Sequence, residues 1–346
     1  MSRLKVAILF GGPSEEHDVS VQSARSVMQA CKGTFDVLPV FVSKQGSVWP
    51  EDASRRVLEG APNGLDPEDA ETLLDGLTDL AAAGVDAVFP VLHGPFGEDG
   101  RLQAVLEAAG LPYVGSGVLG SAVSMDKITT KRVLQAVGVP QTPWREVRAA
   151  DWQHDAEAVL EDLTVSFEGP WFVKPSNLGS SVGIGKAHDA GSLAEAIRDA
   201  FRYDRRVLVE RAVDGRELEI GMLGTQPARA SVIGEIVVGG DGFYDYSAKY
   251  QDGSTTLQVP AEVDPQVAER LTALAHTAYA AVDAAGLARV DFFVTQDGDI
   301  LLNEINTLPG FTDVSMYPRL WEASGVAYPD LVAALIQDAL TKRSQS

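Results

Sequence analysis

The 346-residue chain is 45% hydrophobic and 22% charged, a balance that supplies apolar side chains for two or three cores and excludes intrinsic disorder. Its 28 lysines and arginines against 49 aspartates and glutamates leave a formal charge of −21. Such a surface repels phosphate backbones and excludes a nucleic-acid partner. The single Cys31 rules out an internal disulfide framework, and no apolar run approaches the roughly 20 residues of a membrane span. The opening VAILF is also too short for a signal h-region. A cytoplasmic protein without a membrane partner is expected.

Residues 4–10, LKVAILF, form a continuous apolar run, the pattern of a central parallel strand. A glycine turn leads to a helix that Ser14 can cap, with Glu15 and Glu16 in its first turn, where the helix dipole favours acids. VLPVFV (37–42) reads as a second strand, LTDLAAAG (77–84) as the end of a helix and DAVFPVLHG (86–94) as a third strand. This alternation predicts an α/β, doubly wound domain over 1–122, with functional loops at the C-terminal ends of its strands. Glu16 and His93 fall there. Gly115-Ser116-Gly117-Val118-Leu119-Gly120 fits the G-x-G-x-x-G dinucleotide pattern, but it follows only a short YV segment, and Gln135 stands where an acid would hold the ribose. The stretch instead turns the chain into a second domain (123–213), which starts with a helix from Met125-Asp126-Lys127.

In WFVKPSNLGSSVGIGKA (171–187) a strand around Lys174 and a second strand flank a glycine-rich turn. The exposed amides of such a turn can cover phosphates without a Walker A motif. The G-x-S-x-G inside it would suit a hydrolase only on a strand-to-helix turn, whereas a hairpin is predicted. RRVLVERAVDGRELEIGMLG (205–224) reads as strand, connection and strand, with Glu210 and Glu217 at its ends. Residues 239–262, long, glycine-rich and aromatic, have the profile of a lid and hold Lys249 and Tyr250. They belong to a third domain (214–346).

A helix then precedes RVDFFVTQDGDILLNEINTLPGF (289–311). Apolar and polar residues alternate on both sides of Asp297-Gly298, which predicts a hairpin with a two-residue turn. Counting outward sets Thr295 opposite Ile300, Asp291 opposite Glu304 and Arg289 opposite Asn306. Opposed side chains share a face roughly 5 Å apart, so two carboxylates and an amide stand together. Their repulsion is on the order of 1 kcal/mol in water and about 4 kcal/mol in an intermediate dielectric. A proton or a cation is needed, and hard oxygen ligands suit Mg²⁺ shared with the phosphates of a nucleotide. After Leu308-Pro309-Gly310 one more helix is expected.

GGPSEEHDVS, HGPFGEDG, MDK, FVKPSNLGSSVG, VER followed by GRELE, FYDYSAKY, RVDF and NEINTLPGF occur in this order across nearly the whole chain. Together they resemble the D-alanine:D-alanine ligase family of the ATP-grasp superfamily. The resemblance implies three α/β domains, a cytoplasmic homodimer, D-alanine and ATP as substrates, and two Mg²⁺ or Mn²⁺ ions. Lys127 and Lys174 then match phosphate-binding lysines, Glu210, Arg211, Val213 and Glu217 match adenine and ribose contacts, and Lys249 joins the ATP set. Asp291, Glu304 and Asn306 match metal ligands. Arg289 matches the arginine at the transferred phosphate, and Glu16 the acid that holds the first substrate's ammonium. Ser180 and Tyr250 would complete a hydrogen-bonded set with Glu16, while Gly310 and Ser315 match contacts to the second D-alanine. His93 is carried as a substrate contact. His17 and Asn177-Leu178 depart from the family's pattern, at positions without a chemical role. Another ATP-grasp carboxylate–amine ligase and a D-alanine:D-lactate ligase remain as alternatives.

Overall fold

The computed structural model describes residues 3–61, 69–179, 182–225, 227–238 and 255–343. In the first region β1 (Lys5–Gly11), α1 (His17–Cys31), β2 (Asp36–Val42), β3 (Val48–Trp49), α2 (Glu51–Leu58), α3 (Leu73–Ala82), β4 (Ala87–Pro90) and α4 (Arg101–Ala108) follow in turn. The sheet order is β3-β2-β1-β4, with β1 parallel to both β2 and β4. Val6, Ile8 and Phe10 pack towards α1, whereas Ala7 and Leu9 pack towards α3 and α4. The unbroken apolar run of β1 thus reflects helices on both faces, as expected of a doubly wound sheet. The helix start differs from expectation. Ser14 donates its hydroxyl to the His93 carbonyl, so Glu16 becomes the N-cap and Asp18 the acid of the first turn.

The second region contains α5 (Val118–Met125), α6 (Lys127–Ala136), β5 (Trp144–Arg148), α7 (Ala149–His154), α8 (Ala156–Ser166), β6 (Trp171–Pro175), β7 (Gly185–Ala187), α9 (Ala190–Ala200) and β8 (Arg206–Arg211). Its sheet runs β5-β8-β6-β7 and is antiparallel throughout. Because β6 and β7 pair as a hairpin, the G-x-S-x-G stretch falls between two strands and not at the strand-to-helix turn that a nucleophile elbow requires.

In the third region come β9 (Gly215–Leu223), β10 (Arg229–Val238), β11 (Thr255–Gln258), α10 (Pro265–Ala281), β12 (Leu287–Thr295), β13 (Ile300–Asn306), α11 (Met316–Ala323) and α12 (Tyr328–Arg343). The sheet order is β11-β10-β9-β12-β13. Strands β8 and β9, neighbours in sequence, lie in different sheets, so the connection at 212–214 crosses from one region to the next.

The β12–β13 hairpin corrects the expected turn. Thr295 N–H bonds Asp299 O and Gly298 N–H bonds Thr295 O, both at 3.0 Å, which makes a three-residue loop with Gly298 at φ 82°. A glycine in the left-handed region is what such a loop requires. Near the turn Val294 pairs with Ile300 and Phe292 with Leu302, one residue off the count. A bulge at Asn303 then restores the expected pairs Asp291–Glu304 and Arg289–Asn306. Beside this bulge Leu302 N–H leaves the hairpin to bond Pro140 O at 2.9 Å, which ties β13 to the second region.

Instead of one terminal helix there are two, separated at Gly325 (φ 86°). Leu331, Val332, Leu335 and Ile336 of α12 join the core that holds Val6, Ile8 and Phe10, so the end of the chain closes over the first sheet. The discounted glycine pattern is also a contact between regions. Ser116 Oγ accepts from Ala285 N–H at 3.0 Å, and a Cβ at Gly120 would lie 2.3 Å from the Asp283 carbonyl oxygen. Backbone gives little, so Gly120→Ala should destabilise the fold by about 1–3 kcal/mol in urea unfolding. An unchanged midpoint would contradict this close approach.

Candidate functional site

A cleft of ≈ 660 Å³ opens where the three regions meet, and every site residue expected from sequence that the structure describes lines it. Ser180, Lys249 and Tyr250 lie outside the described residues.

The third region supplies a row of acids. Asp291 on β12 is paired with Glu304 on β13 and with Glu219 on β9, so three carboxylates stand on one face across adjacent strands. Arg289, one pleat away, donates from Nε and Nη2 to the two Asp291 oxygens at 2.8 Å each and lies 3.1 Å from Glu219 Oε2. Burial would lower the guanidinium's pKa, but Asp291 and Glu219 raise it further. Asn306 Nδ2 donates to Asp291 at 2.9 Å. Glu219 is absent from the sequence expectations. Its signal was available, because Glu217 and Glu219 alternate on β9 and therefore share a face.

Among the described residues no group of three or more His, Cys, Asp or Glu side chains is gathered to hold a metal. The Asp291 carboxylate instead lies on Arg289. The donor chemistry nevertheless fits a hard divalent cation: two hairpin carboxylates and an amide oxygen at the rim of a polar cleft leave room for water and phosphate.

The second region supplies cations. Lys174 on β6 ion-pairs with Glu210 on β8, and Lys131 of α6 lies 3.0 Å from the other oxygen of the same carboxylate. Burial would raise Glu210, but the two lysines more than offset it and hold the carboxyl at about 2. Lys127, one turn before Lys131 and capped at the helix start by Asp126, donates to Leu178 O in the glycine loop. Lys131 was not singled out from sequence, since nothing in a helical KITTKRVLQA distinguishes a buried lysine from a solvated one.

From the first region Glu16 reaches the glycine loop. Its Oε2 would lie 3.6 Å from a Cβ on Gly179, an ordinary contact, but 2.7 Å from one on Gly94, whose φ of 78° also favours a bare backbone. His93 is 3% exposed and its ring is already engaged. Nδ1 lies 2.9 Å from the Leu308 carbonyl and must carry the proton, leaving Nε2 to accept from Ser23 at 2.9 Å. Burial, only partly countered by Glu16, lowers its pKa. Its ring thus clasps the Leu308-Pro309-Gly310 turn to the first region. Glu98, half-buried near Glu16 and bonded to Gly94 N–H, is raised well above the usual carboxylate range by desolvation and by Glu16. Gly310 and Ser315 face each other across the turn: a Cβ on Gly310 would meet Ser315 Oγ at 3.2 Å. The departing His17 bonds Gly12 O through Nδ1 at 2.7 Å and packs edge-on against Phe41.

Residues 5–116 match the family model described as D-ala D-ala ligase N-terminus, and residues 133–337 the one described as D-ala D-ala ligase C-terminus. The chain is 47% identical to a D-alanine–D-alanine ligase of Deinococcus radiodurans, over 98% of this chain and 99% of that protein. It is 44% identical to the one of Enterococcus faecalis, again over 98% and 99%. Among solved structures it superposes on the D-alanine-D-alanine ligase from Coxiella burnetii with a TM-score of 0.86 at 34% identity, covering 100% of this chain and 96% of that one. The VanG D-Ala:D-Ser ligase from Enterococcus faecalis gives 0.85 at 32%, covering 98% and 100%. Matched across nearly its whole length in both sequence and fold, the chain belongs to the D-alanine–D-alanine ligase family and has its three-domain ATP-grasp architecture.

Proposed function

We propose that the protein joins two D-alanine molecules into D-alanyl-D-alanine for peptidoglycan synthesis, converting ATP to ADP and phosphate. The observation that carries this is the meeting of Glu16, Lys127, Lys174 and the Arg289–Asp291–Glu304–Asn306 group in one cleft. The proposed domains divide at residues 122 and 213, and cytoplasmic placement as a homodimer goes with the reading.

An amide forms only if a carboxylate becomes electrophilic. The first D-alanine is held by its ammonium on Glu16, and an oxygen of its carboxylate takes the γ-phosphoryl group of ATP, giving an acyl phosphate and ADP. The amine of the second D-alanine then attacks the carbonyl carbon, loses a proton and expels phosphate. The first step brings two anions together. Lys127, Lys174 and Arg289 lower that barrier by charge placed in advance. Asp291, Glu304 and Asn306 would hold two Mg²⁺ or Mn²⁺ ions, which neutralise phosphate charge when bound. Glu210, Arg211, Val213, Glu217 and Lys249 would seat the nucleotide. Ser180 and Tyr250 would close the site around Glu16, Gly310 and Ser315 would orient the second amino acid, and His93 would fix the turn that carries them.

Two measurements check the reading. ADP release with ATP and Mg²⁺ should require D-alanine and fail with L-alanine, with dipeptide as the product by mass when D-lactate or D-serine competes. Predominant depsipeptide would instead favour the D-lactate alternative. Glu304→Gln should lower kcat by about 100-fold or more, while stability stays level or rises by up to about 1 kcal/mol as a like-charge contact is relieved. Near-normal turnover in that variant would remove Glu304 from the metal set.

A further inference from the structure

Lys131 takes no part in the chemistry above, yet it is built into the wall of the same cleft. It leaves α6 one turn after Lys127, is 3% exposed and ends behind the cleft lining. Its Nζ lies 3.0 Å from Glu210 Oε2 and 3.3 Å from Thr142 Oγ1, and that hydroxyl in turn donates to Glu210 Oε2 at 3.2 Å. The other Glu210 oxygen is taken by Lys174, which does line the cleft. Two ammonium groups therefore share one carboxylate.

Burying a lysine is costly, and a buried ion pair can commonly be replaced by apolar side chains of similar volume without loss of stability. Stability alone gives no reason for Lys131. Charge does. Lys174 and Glu210 by themselves sum to zero, whereas with Lys131 the trio carries one net positive charge. The carboxyl, held at about 2 against its own burial, is ionised throughout the neutral range.

Resting on the nucleotide-binding reading above, we propose that Lys131 is a positioning residue for the nucleotide. By sharing Glu210 with Lys174, it keeps the lysine wall net positive towards the ligand's phosphates without touching them.

The test is equilibrium binding of ADP with Mg²⁺ at fixed ionic strength, with thermal unfolding of each variant alongside. Wild-type protein that binds no ADP would refute the nucleotide reading itself. Given wild-type binding, Lys131→Met should weaken ADP by about tenfold or more, since a unit charge acts at close range in a partly dry wall. Adenosine, which carries no phosphate, should lose less than about threefold in the same variant. A purely structural lysine predicts equal losses for ADP and adenosine. Lys131→Met binding ADP like wild type, or losing adenosine as strongly as ADP, would overturn the proposal. Lys131→Arg, which keeps the charge and disturbs the fold less, should bind ADP within about threefold of wild type; a tenfold loss in that folded variant would also overturn it.

Discussion

Three carboxylates set side by side on a rigid sheet are the constraint from which the rest of the cleft follows. Glu219, Asp291 and Glu304 lie on adjacent strands at matching positions, and backbone pairing prevents them from spreading apart. Arg289 answers two of them directly. In the proposed function these hard oxygen donors would take a divalent cation shared with the ligand. A chain with a formal charge of −21 has thus concentrated acids at the place where it must also receive an anionic substrate.

The opposite wall resolves that contradiction. Lys131 of α6 and Lys174 of β6 share the single carboxylate of Glu210, and Lys127 of α6 bonds the Leu178 carbonyl. In the proposed function a nucleotide with a divalent cation would fit between these walls because it carries both signs: its metal would meet the acids and its phosphates the lysines. Each wall alone would bind its counterpart poorly. Together they would recognise the complex of the two, a way for an acidic protein to bind ATP without a basic surface.

Much of this was legible in the sequence because hairpins are local. Alternation around Asp297-Gly298 sufficed to place Asp291 against Glu304 and Arg289 against Asn306. The pairs came out right through two offsetting departures, since the turn takes three residues and the bulge at Asn303 returns the lost one. No local pattern announces that bulge. It sits where Leu302 bonds Pro140 of another region, a tertiary contact invisible to periodicity. The same holds for α12, whose apolar face gives no sign that its partner is the first sheet. Lys131 and His93 show the limit for side chains: nothing in the sequence singled out Lys131, and His93 was carried as a substrate contact, whereas burial sets one on Glu210 and the other between Leu308 and Ser23. Ser180, Lys249 and Tyr250, expected to close the cleft, fall outside the described residues.

The central claim is that the acidic hairpin and the lysine wall recognise a metal–nucleotide pair jointly. Titration calorimetry of ADP with and without Mg²⁺, on wild type and on Asp291→Asn, measures that coupling directly. The account predicts that Mg²⁺ tightens ADP binding to the wild type by about tenfold or more, and that this gain largely disappears in Asp291→Asn while weak metal-free binding to the lysines persists. An equal gain from Mg²⁺ in both proteins would contradict it, because the hairpin would then have no share in holding the cation.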